Sequence, residues 1–218
     1  MKGLLYKDII LCWNRRNFFL LITAISIMLA VTSQNPMFVI SYITLIFGMF
    51  SISSISYDEF DNGNAFLFTL PFTRAGYVLE KYLFSLLISG IPWLISSVLI
   101  TFYQKSRVPE LDTAEWFLTT FIFLYMVILF LSLTLPLHLK YGAEKARLFL
   151  FGVMGVIFVV CILLTKITSS VADKVLNFLK NFSALSISQI VLAGVIFSIV
   201  LLIISGLCSL KVIKGKEF

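Results

Sequence analysis

The side chains of this sequence best suited to specific chemistry lie in residues 58–81, between two long apolar runs. Asp58 and Glu59 stand at the start of this stretch, and Phe66 and Leu67 follow. A solvated loop has no need for bulky apolar residues, whereas a short apolar helix flanked by acids is typical of an element that inserts into a partner's groove. The predicted chemistry is therefore noncovalent recognition. The alternative interpretation is that these residues rest on the membrane surface.

The sequence holds none of the common catalytic or metal-binding patterns. HExxH, paired CxxC, GxSxG and the P-loop GxxxxGK[ST] are all missing. Cys12, Cys161 and Cys208 have no metal-ligand spacing, and the lone His138 is interpreted as an interfacial polar residue. We therefore predict that the chain is not an enzyme by itself and binds no metal or cofactor.

The composition is that of a membrane protein. Of the 218 residues, 60% are hydrophobic and 13% are charged, whereas a soluble domain has about 45–50% and 25%. A helix crosses the hydrocarbon layer with about 20 residues, and the apolar runs lack the alternation of barrel strands. We predict an all-α membrane protein of one domain, residues 1–218, with six transmembrane helices. The six apolar segments are residues 18–33, 37–56, 82–103, 116–137, 148–165 and 188–210.

The distribution of Lys and Arg predicts the orientation. With a cytoplasmic amino terminus, the inner side carries 12 of the 17 basic residues and the outer side carries five. Because short cytoplasmic loops are enriched in Lys and Arg, both termini are predicted to face the cytoplasm. Residues 58–81 and 137–147 are then the two inner loops, and the second of these, taken alone, is an ordinary basic loop.

The six apolar segments contain no Asp, Glu, Lys, Arg or His. Proton- and ion-coupled carriers usually retain ionisable residues at mid-membrane, so their absence weakens that interpretation. A secondary carrier is still compatible with the sequence, because broken helices can bind Na⁺ through backbone carbonyls. The sequence is also compatible with a channel that works without ATP and with a non-transporting scaffold or sensor.

Two further amphipathic helices are predicted outside the spans. In residues 1–16, helical spacing places Leu5, Ile9, Cys12 and Trp13 on one face, which predicts a helix along the inner leaflet or, alternatively, an extended start of the first span. Residues 166–187 form the other helix on the outer side, with a role either in gating or as a cover for the span ends. Its apolar face comprises Val171, Val175, Phe178, Leu179 and Phe182.

Taken together, these stretches resemble the membrane subunit of a type-2 ATP-binding-cassette (ABC) exporter, in particular the small bacterial permeases with six spans. The likeness covers nearly the whole chain. It is carried by the start KGLLYKDIILCWNRRN, the first inner loop YDEFDNGNAFLFTLPFTRAGYVLEKYL and the second inner loop LPLHLKYGAEKARLFLFG, together with the six-span layout.

The resemblance implies roles for these elements. Residues 1–16 would be the connecting helix, and residues 58–67 would supply the coupling helix that docks on a separate ATPase subunit. The implied ATPase contact comprises Tyr57, Asp58, Glu59, Phe60, Asp61, Asn62, Ala65, Phe66, Leu67, Pro71 and Arg74. A second, smaller inner contact would comprise Tyr141, Gly142, Glu144, Lys145 and Arg147.

The resemblance also implies the assembly and its location. Two ATPase chains, which bind ATP and Mg²⁺, would join two permease chains that are identical or paralogous, in a bacterial plasma membrane. Because the spans are uncharged and rich in Phe, Leu, Ile, Ser and Thr, the expected substrates are amphipathic peptides such as toxins or antimicrobial peptides.

Overall fold

The computed structural model describes residues 2–32, 36–60, 63–110, 112–166 and 186–216, and the regular elements in these ranges are helices. The predictions for Asp61, Asn62 and the outer amphipathic helix, residues 166–187, therefore lie wholly or mostly outside the described residues. The helices are α1 (Lys2–Asn14), α2 (Arg16–Thr32), α3 (Met37–Glu59), α4 (Gly63–Leu67), α5 (Arg74–Arg107), α6 (Thr113–Lys166) and α7 (Ile187–Lys214).

Four of the described helices, α3, α5, α6 and α7, are long and apolar enough to cross a membrane. Helices α1 and α2 meet at a bend of 64° and together would make a fifth span. Alone, the 17 residues of α2 fall at the lower limit of about 17–25 for a spanning helix. The chain is thus an all-helical membrane protein with four to five candidate spans. This is fewer than the six predicted, because α6 contains two of the predicted segments, 116–137 and 148–165, and is counted as one span.

Helix α6 is broken at Gly142, whose backbone has φ 77° and ψ 172°. A straight helix of its 54 residues would be about 81 Å long, more than twice the ~30 Å hydrocarbon layer. The rings of Tyr141 and Phe149 stack with centroids 6.1 Å apart, although eight residues of straight helix rise about 12 Å. The chain therefore bends sharply at Gly142.

Helix α5 begins at Arg74, directly after Thr73. The Thr73 side chain accepts a hydrogen bond from the Gly76 N–H at 3.0 Å and caps the first turn. The helix continues through Pro92 and is longer at its start than the predicted span 82–103, because polar residues of its first turns are buried against other helices. This extension places Glu80 and Lys81 inside a helix.

The core lies between α3, α5, α6 and α7. One apolar cluster, which includes Ile55, Tyr77 and Leu135, joins the start of α5 to the ends of α3 and α7. A second cluster surrounds Trp93 at the other end of the bundle, where the indole N–H donates to the Thr120 carbonyl at 3.0 Å. This contact explains why Trp93 is not at a membrane interface.

The first segment of α6 and α7 run parallel. The Tyr125 hydroxyl donates to the Val191 carbonyl at 2.8 Å, the Ser205 hydroxyl donates to the Ser132 carbonyl, and Lys216 donates to the Leu139 carbonyl at 3.2 Å. In these three pairs the residue numbers rise together along the first segment of α6 and along α7. The two helices therefore run in the same direction.

Gly194 allows α7 to approach Tyr125 closely. A Cβ at this position would lie 2.5 Å from Tyr125 Cε2, so Gly194→Ala must displace the ring and its hydrogen bond to Val191. We expect a loss of about 1–3 kcal/mol of unfolding free energy, typical of overpacking, measured by thermal unfolding in detergent. Gly206→Ala on the same helix is the control, since a Cβ there meets nothing within 4 Å. Equal effects of both substitutions would contradict this explanation.

Candidate functional site

A buried group of charged and polar side chains, here called the ion cluster, joins α1 to the end of α3 and the start of α5. Four of its members, Asp8, Ser54, Glu80 and Lys81, have no exposed surface. The ion cluster consists of Lys7, Asp8, Ser54, Asp58, Tyr77, Glu80 and Lys81.

Lys81 is at the centre of the ion cluster. Its ammonium lies 2.6 Å from Asp8 Oδ2 on α1 and 2.8 Å from Asp58 Oδ2 on α3. It also donates to Ser54 Oγ at 2.7 Å. An ammonium group has three N–H donors, so these three oxygens match its donor number. One side chain of α5 thereby fixes both α1 and α3.

The carboxylates have further partners. The Tyr77 hydroxyl donates to Asp58 Oδ2 at 3.0 Å, and Ser54 Oγ donates to Asp8 Oδ2 at 2.7 Å. Lys7 bonds to Asp58 Oδ1 and lies 3.3 Å from Asp8 Oδ1. Burial opposes ionisation of Asp8, but the charges of Lys81 and Lys7 outweigh it and hold the pKa of this carboxyl below its ordinary value.

Glu80 is the least stabilised member of the ion cluster. Among the described residues neither of its carboxylate oxygens has a hydrogen-bond partner, and the Lys81 ammonium is 3.8 Å away. With every group ionised, three carboxylates face two ammonium groups. Because a buried charge is costly unless it is paired and hydrogen-bonded, an ionised Glu80 adds an unfavourable charge to a network in which Asp8 Oδ1 also lacks a hydrogen-bond partner among the described residues.

An exposed apolar surface projects from the chain directly after the ion cluster. It consists of Phe60, Phe66 and Leu70, which are 72%, 71% and 43% exposed, and it is called here the apolar knob. The residues beside it face inward: Leu67 is buried, and the Phe68 ring packs 5.4 Å from the Tyr77 ring. One side of the loop therefore faces away from the helix bundle, and the other side packs against it.

A second set of contacts holds the loop to α6 and α7. Glu59 Oε2 accepts a hydrogen bond from the Ala143 N–H at 3.0 Å, and Glu59 Oε1 lies 3.7 Å from the Lys216 ammonium. Arg74 donates to the carbonyls of Ile213 and Lys214 at 3.1 and 2.7 Å. A cation at the last carbonyls of a helix satisfies groups that have no partner within it.

The structure places the predicted contact residues on two sides of the loop. Asp58 and Leu67 are buried within the protein, whereas Tyr57, Phe60, Phe66 and Pro71 are exposed. Asp61 and Asn62, like the Ala65 side chain, lie outside what the structure describes. In the second predicted contact, Gly142 is the helix break and the other four residues are at least partly exposed: Tyr141, Glu144, Lys145 and Arg147.

The helix predicted at the amino terminus is present as α1, and Leu5, Ile9 and Cys12 line one groove as their spacing predicts. Leu4 and Asp8 face the protein, and Trp13 is 71% exposed. The periodicity of apolar residues alone did not reveal that the acid Asp8 belongs to the buried face.

Of the ion cluster, the sequence analysis named Asp58 as a site residue and missed the other six, which are Lys7, Asp8, Ser54, Tyr77, Glu80 and Lys81. The signal that could have found Asp8 was its spacing of four residues from Leu4, and for Lys81 it was the position directly before an apolar run. The six apolar segments of the sequence analysis themselves still contain no Asp, Glu, Lys or Arg.

Gly142 is required by the geometry of the second set of contacts. Its φ and ψ of 77° and 172° fall in a region that is essentially restricted to glycine and costs other residues about 1–3 kcal/mol. A Cβ would also lie 3.1 Å from Glu59 Oε2. We expect Gly142→Ala to lower the unfolding temperature measured in detergent, whereas Gly152→Ala, with open space at its Cβ, should leave it nearly unchanged. An unchanged value for both would show that the bend does not depend on glycine.

Comparison with known protein families gives one match of nearly full length. The model described as ABC-2 family transporter protein matches residues 3–214, which includes every described helix except the first residue of α1. Comparison with curated proteins and with solved structures gives no significant match. An all-helical bundle of candidate spans is consistent with a membrane transporter family. The chain belongs to the ABC-2 transporter family and is a membrane permease subunit of an ABC transporter.

Proposed function

We propose that this permease is the membrane subunit of an ATP-driven exporter and that a separate ATPase subunit drives it through the apolar knob. The observation that carries the proposal is the exposure of Phe60 and Phe66 on a loop whose inner side is firmly anchored. Exposed aromatic side chains surrounded by polar groups are typical of docking sites. ATP and Mg²⁺ would bind to the partner and not to this chain.

The anchoring allows a force on the apolar knob to reach the whole bundle. Asp58, at the start of the loop, is bonded to Lys81 of α5 and to Lys7 of α1. Glu59 and Arg74 connect the loop to α6 and α7. Asp58 therefore acts as an anchor in this proposal, and the contact itself is made by the exposed residues of the loop and by Tyr141, Glu144, Lys145 and Arg147.

ATP would act by binding more tightly to one state of the transporter than to the other. Closure of two ATPase subunits would draw the knobs of two permease chains together and switch the membrane domain. Changing such an equilibrium from 1:99 to 99:1 requires about 5.5 kcal/mol of differential affinity. Two permease chains, identical or paralogous, and two ATPase chains would make the working exporter.

We propose six spans with both termini in the cytoplasm. Residues after the break at Gly142, such as Phe151, Met154 and Phe158, are apolar and exposed, so a straight continuation of α6 would place them in water. A return into the membrane would cover them with lipid and divide α6 into two spans. The parallel arrangement of the first segment of α6 and α7 requires an intervening crossing of this kind. The excess of Lys and Arg on the inner side gives the orientation, in a bacterial plasma membrane.

We propose amphipathic peptides, such as toxins or antimicrobial peptides, as substrates. The six proposed spans have no charged residue within their apolar segments, and hydroxyls such as those of Ser89 and Thr101 donate to carbonyls of their own helix. Such spans offer apolar surface and few free polar groups, which suits an amphipathic chain better than a charged solute.

The proposed function is tested by coexpressing the permease with an ABC ATPase encoded beside it and purifying the complex. We expect the two chains to copurify and ATP hydrolysis in lipid vesicles to rise when an amphipathic peptide is added. Transport without the ATPase would instead support a secondary carrier or channel. Stable binding with no peptide-dependent hydrolysis or transport would support a scaffold or sensor.

The substrate class needs a separate measurement in the same vesicles. An amphipathic peptide and a scrambled peptide of equal charge and composition are compared for ATP-dependent transport. We expect transport of the amphipathic peptide at a clearly higher rate, because only that peptide presents a continuous apolar face. Equal rates, or transport of a small hydrophilic solute alone, would contradict the proposed substrate class.

A further inference from the structure

An open apolar groove lies beside α1 and is called here the α1 groove. It has a volume of about 290 Å³, at the lower limit of the roughly 300–1,000 Å³ of small-molecule sites. Its walls come from α1, α2, α3 and α5, and every lining side chain is apolar. Representative lining residues are Leu5, Cys12, Phe19, Phe47, Ile88 and Pro92.

The shape of the α1 groove matches an extended hydrocarbon chain. The wall that α5 supplies extends from Phe84 to Pro92, about 12 Å at 1.5 Å per residue. Helix α1 forms one side of the groove because it meets α2 at a bend of 64°. An apolar surface of this kind is covered by acyl chains at the membrane boundary.

Arg16 is a basic residue that lies next to the α1 groove along the chain. Arg16 is four residues after Cys12 and three before Phe19, both of which line the groove, and it lies at the bend between α1 and α2. Its side chain is exposed and makes no ion pair with any residue that the structure describes. The adjacent Arg15 differs, because its guanidinium lies 5.4 Å from the centre of the Tyr57 ring.

The remaining surface of α1 also suits the headgroup region. Trp13 and Tyr6 are 71% and 66% exposed, and amphipathic rings are favoured at that depth of a bilayer. The adjacent Arg15 adds exposed positive charge next to Arg16, whereas the carboxylate of Asp8 is bonded to Lys81. Two exposed basic residues at the bend between α1 and α2 therefore favour an anionic ligand.

We infer that the α1 groove binds one anionic phospholipid, with an acyl chain in the groove and its phosphate on Arg16. The inference depends on the proposed position of α1 at the inner leaflet and does not depend on the ATPase. The bound phospholipid would hold α1 against α5 beside the ion cluster. Occupancy of the groove would therefore stabilise the position of α1.

The test is native mass spectrometry of the purified full-length permease after equilibration with equal amounts of phosphatidylglycerol and phosphatidylcholine that have identical chains. We expect one phosphatidylglycerol to be retained preferentially. Arg16→Gln should lower that preference roughly fivefold, as expected for one basic residue near an anionic surface. Arg107→Gln is the matched control, because Arg107 lies at the other end of α5 and stacks on Tyr103, and it should leave the preference unchanged.

A filled groove tests the contribution of the acyl chain. Cys12→Phe occupies the α1 groove, and Cys208→Phe on the exposed side of α7 is the control with the same change of side chain. We expect only Cys12→Phe to lower retention of the phospholipid. Leu87→Trp, also in the groove wall, gives a second measurement if Cys12→Phe fails to fold.

Three results would overturn the inference. They are equal retention of both phospholipids by the unmodified protein, retention that no groove substitution changes, and displacement of the phospholipid by glycerophosphoglycerol, which would show recognition of a headgroup alone. Retention of an amphipathic peptide in place of phospholipid would likewise contradict it. Because the assay contains neither ATPase nor ATP, each of these results would leave the proposed coupling through the apolar knob intact.

Discussion

Lys81→Met is expected to lower the free energy of unfolding by about 3–5 kcal/mol, the cost of removing one partner of a buried ion pair. The Lys81 side chain has no exposed surface and holds the carboxylates of Asp8 and Asp58 at 2.6 and 2.8 Å. Methionine has similar length, so the lost quantity is the charge and its hydrogen bonds. Thermal unfolding in detergent measures the effect, and α1 should become more accessible to protease.

Three variants show whether the lost charge of Lys81 causes the loss of stability in Lys81→Met. Lys105→Met changes an exposed lysine of the same helix and should have little effect. Adding Asp8→Asn and Asp58→Asn to Lys81→Met should recover part of the loss, because it removes the unpaired carboxylates. Glu80→Gln should be neutral or stabilising, since Glu80 has no hydrogen-bond partner among the described residues. A loss in Lys105→Met equal to that in Lys81→Met would contradict this explanation.

The combined substitution Phe60→Ala and Phe66→Ala is expected to abolish ATP-driven transport while the protein remains folded. Both side chains are more than two-thirds exposed, so their removal creates no cavity in the permease. In an interface, aromatic anchors of this kind each contribute roughly 2 kcal/mol or more, about thirtyfold in affinity. Copurification with the ATPase and peptide-stimulated hydrolysis in vesicles measure the effect.

Phe102→Ala is the matched control for this prediction. Phe102 is 71% exposed, the same fraction as Phe66, but it lies at the opposite end of α5. We expect it to leave ATPase binding and transport unchanged. Normal transport by the Phe60/Phe66 variant, or an equal loss in Phe102→Ala, would show that the apolar knob is not the driven surface.

Several features of the fold could be predicted from the sequence because they depend on neighbouring residues. The composition predicted membrane helices. That Phe66 is exposed while the adjacent Leu67 is buried depends on packing against other helices and was not predicted. The number of spans was harder to predict, because the structure joins two apolar segments in the single helix α6 across Gly142.

The sequence by itself determined the helical class, the membrane location and the loop that carries the apolar knob, since hydropathy, helical period and capping are local properties of the chain. Only the tertiary structure decided that Lys81 pairs with Asp8, a residue 73 positions away, and that Glu59 bonds to Ala143 beside the break. A buried charge is stable only with a partner from another element, and that partner is selected by packing, which no local pattern records.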